Sequence, residues 1–261
     1  MVEPAPLPAE SIPGWVFDVG ANNGDDSAFY LAKGFPVLAV EADPRLAEAL
    51  RQRFAAELAS GQFRLEACGL AAGEGAMPFY LNLDWSEWSS FVRQGKATQG
   101  RHEVLTVPTL GLARLVERHG CPYYLKLDIE GFEKPVLSGL SGLARQPPYL
   151  SWELCADWRD CLATLQAAGY TGFQLVRQGE GHLPAPPQPA REGRYAPARF
   201  SNQMSGCFGR ELTGAWQDAG TIMAAIEAEL AARAVRKARG EKPGWHDVHC
   251  RHRNAVPTSS P

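Results

Sequence analysis

Val16-Phe-Asp-Val-Gly-Ala-Asn-Asn-Gly24 is the segment that most limits what this chain can fold into. A short apolar run carries Asp18 near its end, a glycine turn follows at once, and a helical segment begins near Ser27. That order is the hand-over from a parallel strand to a helix in nucleotide-binding α/β sheets. Gly20 and Gly24 carry no Cβ, so a ligand can approach bare backbone there.

The same alternation continues along the chain. Val37–Val40 is continuously apolar, as a strand buried on both faces should be. Pro44 opens a helix in which Leu46, Leu50, Phe54 and Leu58 recur every four residues, and Gly61 ends it. Phe63, Leu65 and Ala67 alternate as a strand, Met77–Leu83 reads as an added antiparallel strand, and Glu103–Val107 as a short one. Thr109 can cap a helix running to His119. Tyr123–Leu127 is the next buried strand, ending in Asp128. A short helix over Phe132–Leu140, a strand at Tyr149–Leu154, a helix from Asp157 to Ala168 and a strand at Thr171–Val176 follow. The pattern predicts a doubly wound α/β sheet with helices on both faces, whose ligands sit outside the carboxyl ends of the strands. Residues 1–13 read as an N-terminal extension and 14–177 as the binding domain. The proline-rich stretch 178–212 reads as a loop or lid, 213–240 as a C-terminal helix, and 241–261 as an irregular tail.

The first turn selects its ligand by charge. Gly20 and Gly24 are four apart, and Asn22 stands where a dinucleotide fingerprint has its second glycine. Asp25 and Asp26 occupy the place of a pyrophosphate, which they would repel. A ligand with a sulfonium, an ammonium and no phosphate has no such conflict, and S-adenosylmethionine fits. Asp18 could hold its ammonium, and Glu41, ending the second strand, could accept from both ribose hydroxyls. The candidate cofactor residues are Asp18, Gly20, Asn22, Gly24, Ser27, Glu41, Asp43 and Asp128. An acidic residue in the place of Glu41 also serves NAD. An NAD(P)-dependent oxidoreductase is therefore an alternative, disfavoured by the turn and by the lack of a Tyr-x-x-x-Lys pair. A non-catalytic scaffold that binds the same donor is another.

Asp18-Val-Gly-Ala-Asn-Asn-Gly-Asp25, Val40-Glu-Ala-Asp-Pro44, Tyr124-Leu-Lys-Leu-Asp-Ile-Glu-Gly-Phe-Glu133 and Val136-Leu-x-Gly-Leu140 together resemble the FkbM family of methyltransferases over roughly residues 14–177. Ser205-Gly-Cys-Phe-Gly209 is similar to a less regular S-G-P-F-G element of some bacterial members, with Cys207 in place of the proline. The resemblance implies a class I, Rossmann-like mixed sheet of about seven strands, S-adenosylmethionine as donor, and O-methylation of small molecules or saccharides. Ser89 and Ser90 fall where a family serine pair accompanies the cofactor side of the pocket.

A second group of carboxylates follows the later strands. Asp128 and Glu130 come after one strand and Glu153 closes the next. Methyl transfer to an alcohol needs the hydroxyl aligned with the breaking bond and its proton removed. Asp128 and Glu130 are the candidates for catalysis or acceptor placement. Asp128, Glu130 and Glu153 could alternatively hold a divalent cation, though no metal is assigned. Lys126 points to the face of Asp128 and is read as neutralising a carboxylate. Trp85-Ser-Glu-Trp-Ser-Ser-Phe91 is either an aromatic substrate wall or packing over a sheet edge. Trp245-His-Asp-Val-His-Cys-Arg-His252 lacks a recognised zinc spacing. Residues 233–253 carry seven Lys or Arg against two acids, a solvated helix end or a lure for anionic substrates.

Composition narrows the setting. Six scattered cysteines without a C-x-x-C pair read as core residues of a cytoplasmic protein. The net charge of −3 argues against nucleic acid as a partner, and no run of 18 apolar residues argues for a membrane span. The first residues have neither the basic start nor the apolar stretch of a secretion signal. The expected partner is a small hydroxyl-bearing substrate, with a homodimer contact as one use for the proline-rich stretch or the final helix.

Overall fold

The computed structural model describes residues 14–93 and 95–255; the N-terminal extension read over 1–13 lies outside them. In chain order the elements are β1 (Val16–Val19), α1 (Asp25–Ala32), β2 (Val37–Val40), α2 (Pro44–Arg53), α3 (Ala55–Ser60), β3 (Phe63–Glu66) and β4 (Gly69–Ala71). There follow β5 (Gly75–Asn82), β6 (His102–Gly111), α4 (Leu112–His119), β7 (Tyr124–Leu127), α5 (Glu133–Leu137) and β8 (Tyr149–Glu153). The last are α6 (Trp158–Ala167), β9 (Tyr170–Arg177), α7 (Ala219–Ala238) and β10 (His246–His252). Seven strands form one mixed sheet in the order β3-β2-β1-β7-β8-β10-β9. All run parallel except β10, which is antiparallel to both its neighbours. This is the doubly wound, Rossmann-like sheet expected from the strand–helix alternation. No described helix is long and apolar enough to cross a membrane.

Period-two alternation puts each strand's side chains on two faces. Phe17, Val19, Leu38, Leu125, Leu127, Leu150, Trp152, Val248 and Cys250 share one core with residues of α4, α5, α6 and α7. Val16, Val37, Ala39, Tyr124 and Tyr149 share the other with Phe29 and Tyr30 of α1, Leu50 of α2, and Phe200 and Phe208. The last two belong to the proline-rich stretch, which is a packed strap. Phe208 stacks on Tyr124 with ring centroids 4.6 Å apart. Lys33 and Glu211, both fully buried, pair at 2.7 Å and tie the strap to the end of α1.

Four elements differ from the sequence pattern. Thr109 lies inside β6, its hydroxyl on the Gly73 carbonyl, and Gly111 precedes α4 in extended backbone. Helical periodicity over 44–60 is broken at Phe54, giving α2 and α3. β5 and β6 join β4 in a separate three-stranded sheet, and β4 is too short to show alternation. The irregular tail expected from residue 241 instead contains β10, threaded between β8 and β9. Its core side chains are few (Val248 and Cys250), and the intervening Asp247 and His249 are buried polar groups, so no apolar alternation marks it.

Candidate active site

The carboxyl ends of β1, β2, β7 and β8 open into one cavity of about 630 Å³. This volume suits a small-molecule site. Gly20 and Asn22 follow β1, Glu41 follows β2, Asp128 and Glu130 follow β7, and Glu153 ends β8; all six line it. Two of them sit in left-handed backbone although neither is glycine: Asn22 at φ 47° and Glu130 at φ 53°. Such conformations are costly and mark positions fixed by their surroundings. Asn22 donates its backbone N–H to Glu41 Oε2 at 2.8 Å, and its side-chain oxygen accepts from Ser86 at 3.1 Å. Glu130 is held by Lys96 Nζ at 3.0 and 3.2 Å, while its carbonyl accepts from the Ser90 hydroxyl at 2.9 Å.

Glu41 is buried, and its other oxygen accepts from the Asp43 N–H at 2.8 Å. Burial pushes its carboxyl up to about 7, against the pull of the Asp43 and Asn22 N–H groups. Each oxygen has lone-pair capacity beyond the one bond it makes.

The remaining candidates of the first turn stand behind this wall. Asp18, fully buried, accepts from the Ser27 hydroxyl at 2.6 Å and from Lys126 at 3.3 Å. Asp43 caps α2 by accepting from the Arg45 N–H. The glycines face protein: a Cβ on Gly20 would lie 1.9 Å from the Asp128 carbonyl oxygen, and one on Gly24 2.6 Å from Leu50 and Phe54 atoms. Thus Gly20, Asn22, Glu41 and Asp128 line the cavity, whereas Asp18, Gly24, Ser27 and Asp43 support it.

Lys126 is the electrostatic centre of the floor. Its ammonium lies 3.3 Å from Asp18, 3.3 Å from Asp26 and 3.4 Å from Asp128. Burial alone would lower its pKa; the carboxylates of Asp18, Asp128, Asp26 and Asp247 outweigh it and hold the pKa well above the lysine range. Asp26, raised to about 6 chiefly by burial, also receives the Ser205 N–H on both oxygens. The strap thereby reaches the cavity, which Asn202, Gln203, Met204 and Ser205 help to line.

The family model for the methyltransferase FkbM domain matches residues 18–171. This chain belongs to the FkbM methyltransferase family. The family uses S-adenosylmethionine, which decides between the two donors that the acidic residue after β2 leaves open. No curated protein matches the chain. Among solved structures it is similar to methyltransferase FkbM from Methylobacillus flagellatus, at 17% identity over 65% of this chain and 40% of that one, with a TM-score of 0.43. The chain thus spans less than half of that protein. It is also similar to a precorrin-6y C5,15-methyltransferase from Geobacter metallireducens (9% identity, 92% and 82% covered, TM-score 0.38). The C-terminal domain of precorrin-6Y C5,15-methyltransferase from Rhodobacter capsulatus is similar at 12% identity over 95% and 83% of the two chains, with a TM-score of 0.39.

The cavity's own residues fit a cationic, phosphate-free donor. Asp25 and Asp26 begin α1, and Asp26 is buried against the cavity, so the helix start offers no seat for a phosphate. Glu41 offers a carboxylate for hydroxyl donors, and Asn22 and Gly20 offer backbone beside it. Among the described residues, no three His, Cys, Asp or Glu are arranged to hold a metal ion. At the ends of β7 and β8 the ammonium of Lys96 stands on Glu130.

Local sequence pattern gives Lys96, Glu133 and Asp247 no role at the site. Glu133 is buried, and its Oε1 accepts from the N–H groups of Ile129 and Gly131, fixing the turn that presents Glu130. Its place in the D-I-E-G-F-E string was the available signal. Lys96 and Asp247 come from a loop and from an unrecognised strand, so only the tertiary structure brings them in.

Proposed function

We propose that this methyltransferase acts on a hydroxyl of a small molecule, a saccharide or a secondary metabolite. The reading is carried by one observation: Asp128, Glu130 and Glu153 share a cavity with Gly20, Asn22 and Glu41. When bound, the donor supplies an electrophilic methyl group on a sulfonium centre. Glu41 would accept from the ribose hydroxyls, with Gly20 and Asn22 beside it. Asp128 and Glu130 would face the acceptor, one to orient the hydroxyl and one to take its proton. Burial raises the Glu130 carboxyl to about 7, which suits proton uptake near neutral pH. Six free thiols support a reducing, cytoplasmic setting.

Calorimetric titration with S-adenosylhomocysteine and with NADH tests the donor; binding of the second alone would end this reading. Transfer of a labelled methyl to a pool of hydroxylated metabolites tests the reaction. Asp128→Asn should mainly lower turnover, and Glu130→Gln should lower it without weakening S-adenosylhomocysteine, each by about 10²–10⁴-fold. A chain that binds S-adenosylhomocysteine but never passes on label would be a scaffold.

A further inference from the structure

One side of the cavity is closed by a segment that bridges the turn after β1 and the turn after β7. The turn Ser86–Trp88 meets Asn22 through Ser86, and the following Ser90 meets Glu130. Asn82, almost fully buried, fixes this segment. Its amide nitrogen donates to the carbonyls of Lys96 at 3.0 Å and Gln99 at 2.8 Å, and its oxygen accepts from the N–H groups of Asp84 and Trp85. Trp85 and Trp88 pack with ring centroids 4.4 Å apart and both line the cavity, Trp85 being 46% exposed at its mouth.

We propose that the acceptor is a hydroxylated ring that also carries an ammonium group, such as an amino sugar or an aminocyclitol. This rests on the reading of the cavity as the methyl-transfer site. The acceptor side holds four carboxylates, Glu87, Asp128, Glu130 and Glu153, against Lys96 and the solvent-exposed Lys242. Lys126 adds no free charge, since Asp18 and Asp26 share it with Asp128. Glu130 is paired with Lys96, but among the described residues Glu87 and Glu153 make no ion pair. Lys96 is an alkylammonium already seated in this nest. Burial opposes its charge, yet Glu130, Glu153 and Asp128 together raise its pKa. A second ammonium, carried by the acceptor, would pair with Glu153 and Glu87. Burial and the neighbouring Glu130 and Asp128 already hold the Glu153 carboxyl well above the usual range, so an acceptor ammonium would draw off its proton and pair with the anion, whereas a phosphorylated or carboxylated acceptor would be repelled by Asp128 and its neighbours. The tryptophan faces suit both the apolar face of a ring and a cation.

Calorimetry at pH 7.5 with saturating S-adenosylhomocysteine tests the proposal with three probes: glucosamine, N-acetylglucosamine and glucose 6-phosphate. Glucosamine should bind about tenfold more tightly than its N-acetyl form, the size of one charge-assisted hydrogen bond, and the phosphate most weakly. Glu153→Gln should abolish that preference, and Glu87→Gln should reduce it, with S-adenosylhomocysteine binding retained in both. Equal binding of the first two probes, tighter binding of the phosphate, or binding of none of them would overturn the inference. If S-adenosylhomocysteine itself fails to bind the unaltered chain, it is the functional reading that falls.

Discussion

Lys126 Nζ lies 3.3 Å from Asp18 Oδ1, and the two residues stand opposite each other in the register of β7 and β1. The row continues on the same face through Ser151 of β8, His249 of β10 and Gln174 of β9. A band of buried polar side chains therefore crosses the sheet where an α/β core is usually apolar. The acid that opens the glycine turn is a tie between adjacent strands, and the lysine links it to Asp26 of α1 and to Asp128 in the cavity.

Replacing Lys126 by Met should remove the only ammonium within 3.4 Å of Asp18, Asp26 and Asp128 among the described residues. Loss of one partner of a buried ion pair costs about 3–5 kcal/mol. The deficit should be largest at neutral pH. It should shrink toward pH 5, because protonating Asp26 relieves the repulsion that its ionised form adds. Urea denaturation at pH 7.5 and pH 5 measures it; an equal loss at both would show that the carboxylates are not what Lys126 balances.

Gly20→Ala should be severe for a reason unconnected with ligand. At φ 79° any side chain is strained, and the new methyl would meet the Asp128 carbonyl oxygen at 1.9 Å, across the join of β1 and β7. A cost of at least about 2 kcal/mol follows from strain and overpacking together. Thermal unfolding without donor checks this. Wild-type stability combined with weakened S-adenosylhomocysteine would instead make Gly20 a ligand contact alone.

A chain ending at Gly240 should fail to fold cooperatively. Val248 and Cys250 are fully buried in the core, and β10 supplies the hydrogen-bond ladders that join β8 to β9. Without it Trp152 and Phe173 lose their neighbouring strand, and two sheet edges open inside the protein. Loss of a sharp unfolding transition in the shortened chain is the expected result. A retained transition would make β9 and β10 an appendage.

The failure of the sequence to reveal β10 and the clarity of β1 and β2 have one cause. Val16–Val19 and Val37–Val40 are almost wholly apolar because both faces of the sheet are covered there, and the apolar run carries the signal. His246–His252 is also buried, but its second face meets the polar band, so Asp247 and His249 hide the strand. Burial holds His249 near 3, a neutral imidazole behaving as a core residue. Glu41 and Asp128 directly follow β2 and β7 at the carboxyl end of the sheet, the place the strand pattern points to, and both line the cavity. Asp18 and Asp43 have equally suggestive positions, but spacing cannot tell a side chain facing the cavity from one serving Ser27, Lys126 or a helix cap. Lys96 is 34 residues from Glu130 in the chain, a pairing no local pattern encodes.

The affinity for S-adenosylhomocysteine should rise with pH across neutrality, and Glu41 is the reason. Its carboxyl is raised from 4.5 to about 7 by burial. A folded-state value above the ordinary one means that the fold favours the protonated form. The resulting stability is complete below about pH 4.5 and lost as pH climbs through about 7. Two ribose hydroxyls donating to the same carboxyl favour the anion, which accepts on both oxygens, over the acid, which keeps one oxygen as a donor, so binding is coupled to loss of the proton. The dissociation constant should then fall about tenfold between pH 6 and pH 8. Asp26, Glu130 and Glu153 are also raised by burial, so the dependence must be isolated by substitution. Glu41→Gln should bind more weakly at pH 8 and lose most of the tenfold change, whereas Glu130→Gln should keep it. An undiminished pH dependence in Glu41→Gln would remove the ribose from Glu41 and hand the titration to the carboxylates around Lys126.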